Sequence, residues 1–159
     1  YSGSIDLSSL DASNSINAND YSTSSLSPVG NEVLSGDNSI DTLSGVGANN
    51  LLQSSEADDI LYSGLGNAHP VTGEANNIVT GGSGSDRFVL SVGQGTDPIT
   101  NFEDGQDFLI LSNGLTFEQL AIAQSNGDTL ITLKSTGEVL ATLTGVSANL
   151  ITQPDFLTI

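Results

Sequence analysis

The chain has 159 residues, the size of one ordinary domain with a modest core. Its 19 acidic residues face 2 basic ones for a formal net charge of −17, which excludes nucleic acid and anionic membrane surfaces as partners. Trp, Met and Cys are absent, so no disulfide staples the fold, and Leu, Ile, Val and a few Phe must fill a thin, layered core.

Residues 1–26 are rich in Ser, Asn and Asp, with apolar residues sparsely placed at Ile5, Leu7, Leu10 and Ile16. They read either as a loose lead or as a thin cap in which Ile5, Leu7 and Leu10 lay one strand over the open end of a stack. No stretch approaches the length of a membrane span, and no leader pattern opens the chain. Beginning at Tyr1 rather than Met, it reads as processed or as a fragment.

Residues 27–90 fall into rows of nine that start at Ser27. One column holds Leu34, Leu43, Leu52, Leu61, Val79 and Phe88, broken only by Pro70. Two places earlier stand Glu32, Asp41, Asn50, Asp59, Ala68, Asn77 and Asp86. All but Ala68 carry a side-chain oxygen, the donor that hard cations prefer. A merely soluble acidic surface is the alternative reading of the charge.

The last row, Gly81-Gly82-Ser83-Gly84-Ser85-Asp86-Arg87-Phe88-Val89, reads G-G-x-G-x-D-x-U-x without a mismatch, U being a large apolar residue. Glycines let a turn take φ > 0 and aim its carbonyls at one point, and the Asp adds a carboxylate to the same ion. This row and the in-register column resemble the repeats-in-toxin, or hemolysin-type calcium-binding, family. The resemblance implies an all-β fold, a parallel β-roll or β-solenoid of nonapeptides, followed by a strand-rich C-terminal cap. Two nonapeptides complete a coil, so turns stack on partners 18 residues away and calcium sits between them. The acidic column then divides into two edges, Asp41, Asp59 and Asn77 on one, and Glu32, Asn50, Ala68 and Asp86 on the other. One ion is expected between the turns of Asp41 and Asp59 and a weaker one between Asp59 and Asn77. Gly82 and Gly84 join Asp86 in the turn of the matching row, and Ala68 weakens its edge.

Ser39, Ala48, Ser54, Ser55, Ala57 and Ala75 stand where the family has Gly. Each carries a steric penalty in a left-handed conformation. Asn49-Asn50 and Asn76-Asn77 supply an alternative to metal, amide ladders that bond turn to turn. His69-Pro70 reads as a kinked turn or a small outward loop.

After Leu90 the nine-residue register stops, and residues 91–159 read as the cap. Asp104-Gly105 separates strands at 99–102 and 108–111, and Asn126-Gly127, a hairpin signal, separates 121–124 from 129–134. Ser135-Thr136-Gly137 turns the chain into 139–143, and Thr116–Gln119 has capping-box spacing for one helical turn. This stretch resembles the region after the roll in serralysin-like proteases and alginate epimerase modules. The resemblance implies a closing cap with an uncleaved signal for type I export. Asp155-Phe156-Leu157-Thr158-Ile159 has the acidic-then-apolar form of that signal, interrupted by Thr158.

Catalytic chemistry finds little footing. His69 is the only histidine, so a Ser-His-Asp triad would depend on it, and a zinc site lacks Cys or a second His. The glycines at 81–84 precede a strand and no Lys follows them, unlike a phosphate-cradling loop. The expectation is a secreted, extracellular or cell-surface protein with calcium as cofactor and a structural or adhesive role, not an enzyme. Two alternatives stand beside it: an accessory module for polysaccharide or cell-surface matrix, and a homo-oligomer that self-assembles as a sheet or fibre.

Overall fold

A single inward apolar residue flanked by two outward ones, then a polar bend, yields three-residue strands separated by turns. The computed structural model describes residues 15–17, 25–26, 30–31, 33–47 and 49–159, and it stacks such strands into an all-β parallel solenoid. In chain order the stack begins with β1 (Ser15–Asn17), β2 (Ser25–Leu26), β3 (Val33–Ser35), β4 (Thr42–Ser44) and β5 (Leu51–Gln53). It continues with β6 (Ile60–Tyr62), β7 (His69–Val71), β8 (Ile78–Thr80), β9 (Arg87–Leu90), β10 (Asp97–Thr100) and β11 (Phe108–Leu111). Among β1 to β11 the odd-numbered strands lie in one sheet and the even-numbered ones in the other, as the resemblance implied. The strand expected over Ile5, Leu7 and Leu10 lies outside the described residues.

Register follows the inward column. Leu34 stands opposite Leu52, and Leu43 opposite Leu61, each a step of one coil. Leu34, Leu43, Leu52, Leu61, Val79 and Phe88 are all buried between the sheets. Pro70 does not break this column. It is buried opposite Leu52, and His69 and Pro70 lie in β7 rather than in a kink or an outward loop. The fixed φ of proline suits an extended strand, and the cost falls on pairing. With no N–H at Pro70, β7 and β9 pair in register only at Val71 and Val89.

Stacking continues where the nine-residue spacing ends. Ile99 lies opposite Val79 and Leu109 opposite Phe88, so longer turns are absorbed at the edges while the inward column is kept. Asp104-Gly105 lies between β10 and β11, which belong to different sheets, so this turn is a corner of the coil.

The remaining strands are β12 (Leu120–Ser125), β13 (Asp128–Leu133), β14 (Val139–Leu143) and β15 (Phe156–Thr158). β12 and β13 form the hairpin expected at Asn126-Gly127, where both residues take positive φ. β14 returns antiparallel to β13 and parallel to β10, and β15 lies parallel on β11. A 3₁₀ turn at Phe117–Gln119 precedes β12, and the Thr116 N–H donates to Gln119 Oε1 at 2.8 Å. The rings of Phe117 and Phe156 meet at 5.1 Å between centroids, tying this turn to β15. Leu115, Leu120, Ile131, Leu140 and Ile151 extend one core from the roll into this end.

Candidate functional site

Every turn before a strand of the roll ends two residues short of an inward apolar side chain, so the residue there is drawn into the bend. Asp41, Asp59 and Asn77 precede strands of the even-numbered sheet and Asp97 opens one, and Asn50, Ala68, Asp86 and Asp107 precede strands of the other. All eight are buried. Two carboxylate and amide columns therefore run along the two edges of the solenoid.

Four of the carboxylates close their own turns. Oδ2 of Asp41 accepts the Asp37 N–H at 2.8 Å, that of Asp59 the Ser55 N–H at 3.2 Å, that of Asp86 the Gly82 N–H at 3.0 Å, and that of Asp107 the Glu103 N–H at 2.9 Å. The other oxygen reaches the neighbouring coil. Asp59 Oδ1 accepts the Asp41 N–H at 2.7 Å, Asn77 Oδ1 the Asp59 N–H at 3.0 Å, and Asp97 Oδ1 the Asn77 N–H at 2.8 Å. On the opposite edge Asp86 Oδ1 accepts the Ala68 N–H, and Asp107 Oδ1 the Asp86 N–H. Ala68 is the one residue of these two columns without a side-chain acceptor.

A second pair of ladders runs just outside. Asn31, Asn49 and Asn67 accept through Oδ1 from the N–H groups of Asn49, Asn67 and Ser85, and Asp58 and Asn76 do the same for Asn76 and Thr96. These bonds run from a later backbone to an earlier side chain, the reverse of the inner columns, so adjacent coils are clamped in both senses. The expected ladders thus form between amide side chains and backbone rather than between amides. The glycine replacements also behave differently from expectation. Among the described residues only Asn101, Asn113 and Asn126 are non-glycines with positive φ, so Ser39, Ser54, Ser55, Ala57 and Ala75 carry no left-handed penalty.

Burial makes these carboxylates costly to ionise. It pushes the Asp59, Asp86 and Asp107 carboxyls above the ordinary range, against the pull of their backbone hydrogen bonds. Neighbouring acids push the same way, Asp41 and Asp37 on Asp59, and Glu103 on Asp86. Asp97, with Thr72 and Asn77 as its hydrogen-bonding side chains, is raised from 3.8 to about 6, chiefly by burial. The only basic side chains cannot answer this: Arg87 is exposed, and Lys134 Nζ donates to the Glu118 carbonyl at 2.7 Å.

Asp41 and Asp59 converge beside Gly36. A Cβ there would lie 2.9 Å from Asp41 Oδ2 and 3.5 Å from Asp59 Oδ2, so two carboxylate oxygens from stacked turns border the space a side chain would fill. No family model matches this chain, and no curated protein matches it. Carboxylate and carbonyl oxygens at one edge suit a hard cation such as calcium. Among the described residues no three His, Cys, Asp or Glu side chains gather into one cluster, so carbonyls would have to supply most of the ligands.

The other expected ligands are spread along the edges. Asn77 and Asp86 occupy their columns, and Asn50 is buried at its place before β5. Gly82 and Gly84 serve close packing: a Cβ on Gly82 would lie 1.5 Å from the Gly64 carbonyl oxygen, and one on Gly84, at φ +124°, 2.7 Å from that of Gly66. The Gly82 carbonyl already accepts from Asn101 Nδ2 at 2.9 Å. Glu32 lies outside the described residues. Asp97 and Asp107 were missed because their coils step 20 and 21 residues instead of 18. The spacing Asp-x-apolar, as in Asp97-Pro98-Ile99 and Asp107-Phe108-Leu109, finds both.

His69 stands on the outer face of its sheet, and its Nε2 has no hydrogen-bond partner. Burial, then Arg87, lowers its pKa, which favours the neutral ring. Among the described residues no helix is long and apolar enough to cross a membrane.

Proposed function

We propose that this chain is an extracellular calcium-binding β-roll of the repeats-in-toxin kind, with a structural or adhesive role and without catalysis. The observation that carries the reading is the approach of the Asp41 and Asp59 carboxylates beside Gly36, with mutual repulsion that no Lys or Arg relieves. Asp41 and Asp59 would hold the ion, helped by turn carbonyls. The ion would supply positive charge where burial and like charge now oppose ionisation. The net charge of −17 supports the same reading, since self-repulsion favours an extended chain until cations are abundant. Type I export of an unfolded chain that folds in external calcium follows from that linkage.

Extracellular calcium modules have Kd of about 10⁻⁴–10⁻³ M. Each site contributes ~1.4 kcal/mol when calcium is at about ten times Kd. Thermal melting in EDTA and in millimolar calcium, with Asp59→Asn beside the wild type, tests this. The wild-type midpoint should rise with calcium and the variant should lose part of that rise. A midpoint indifferent to calcium removes the ion from the reading.

A further inference from the structure

The even-numbered sheet ends at β12, six residues, Leu-Ala-Ile-Ala-Gln-Ser, that include neither charge nor proline. Free edges are ordinarily guarded by Lys, Pro or bulges, because their open N–H and C=O groups invite another strand. In a chain with 19 acids, an uncharged edge of this length is a departure from the rest of the surface.

The direction of each backbone group follows from the hairpin. The Leu133 N–H bonds the Glu138 carbonyl, toward β14, whereas the Lys134 N–H bonds the Gln119 carbonyl, toward β12. Odd residues of β13 therefore face β14 and even ones face β12, where they meet Ala121, Ala123 and Ser125. The N–H and C=O groups of Ile122 and Gln124 point away from β13, to the side where no strand pairs with β12 among the described residues. The Ile122 side chain packs, partly buried, against the core.

We propose that β12 is the pairing edge for a second copy of this chain, joined antiparallel about a two-fold axis. Antiparallel pairing of identical strands is self-complementary, so one sequence satisfies both sides and the assembly closes as a dimer. With Ala123 on the axis, Ile122 of each copy exchanges N–H and C=O bonds with Gln124 of the other. Ala121 and Ala123 are too small to obstruct the approach, and two molecules of charge −17 meet at a strand that adds no charge of its own. The inference is independent of any bound ion.

Sedimentation velocity from micromolar to millimolar protein, in EDTA and in calcium, tests it together with amide hydrogen exchange. Mass should double with concentration, and the Ile122 and Gln124 amides should gain protection in step with the dimer. Ala123→Glu sets two carboxylates face to face across the axis and should remain monomeric with an unchanged melting midpoint. A wild type that stays monomeric overturns the proposal, as does a dimer that leaves those two amides unprotected or that Ala123→Glu still forms. Should the variant fail to fold, protection of the two wild-type amides decides alone.

Discussion

Replacing Asp97 with Asn should stabilise this protein at neutral pH in the absence of divalent cations. Asp97 is 4% exposed, and its carboxyl is raised from 3.8 to about 6, burial being the main cause. An acid whose pKa is higher folded than unfolded binds a proton on folding between those values. The stability it contributes is fully present below pH 3.8 and is lost as pH rises through about 6. A displacement of that size is worth on the order of 3 kcal/mol. Asn keeps an Oδ1 acceptor for the Asn77 N–H while removing the charge, with Thr72 beside it. In EDTA at pH 7.5, Asp97→Asn should therefore melt above the wild type by about 6–12 °C, taking ~2–4 °C per kcal/mol for a domain of this size. Near pH 4 the two should converge. The shifts at Asp59, Asp86 and Asp107 have the same sign, so the variant should flatten only part of the pH dependence. Melting curves from pH 4 to 8 measure this. A wild-type midpoint that is level from pH 5 to 7.5, or a variant less stable than wild type at pH 7.5, refutes the reasoning.

Gly82→Ala should be far more damaging than Gly127→Ala, although only Gly127 has the left-handed φ of the two. A Cβ at Gly82 must separate two coils, at about 3 kcal/mol or more, whereas Gly127 faces open space and loses roughly 1–2 kcal/mol to backbone strain. Urea unfolding midpoints in the opposite order would contradict the stacking. Leu61→Ala, within the inward column, should cost about 2–5 kcal/mol, and Ile78→Ala, on the outer face, should cost under about 1 kcal/mol in the same assay.

The roll was legible because its two determinants repeat in sequence. An apolar residue every nine positions fixes the inward face, and a turn residue two places earlier fixes where the chain bends, so the strands, the two sheets and the 18-residue register follow without any long-range information. Pro70 was misread because periodicity was weighed against backbone chemistry. A proline is foreign to a column of Leu, yet a buried, three-residue strand needs an extended φ and an apolar side chain, and Pro70 supplies both. The closing end was legible at Asn126-Gly127 and at Ser135–Gly137, where local turn chemistry dictates the outcome. Return of β14 to β10, across more than a hairpin's distance, depends on core complementarity and left no local trace.

The inner columns combine two demands that pull apart. An ionised Asp accepts N–H groups more strongly, from its own turn at 41, 59, 86 and 107 and from the neighbouring coil at 59, 86, 97 and 107, but burial favours the protonated form. Asn77, between Asp59 and Asp97, meets only the coil-to-coil part of the first demand without charge, its Oδ1 accepting the Asp59 N–H and its Nδ2 donating to the Ala75 carbonyl. Were the columns only scaffolding, Asn throughout would hold the coils together at less electrostatic cost. Asp at 41, 59, 86 and 107 adds the second acceptor that closes each turn, which Asn with its single oxygen cannot supply, and brings the buried negative charge that the proposed ion would answer. The outer ladders, built mainly from Asn, carry the share of the clamping that needs no buried carboxylate.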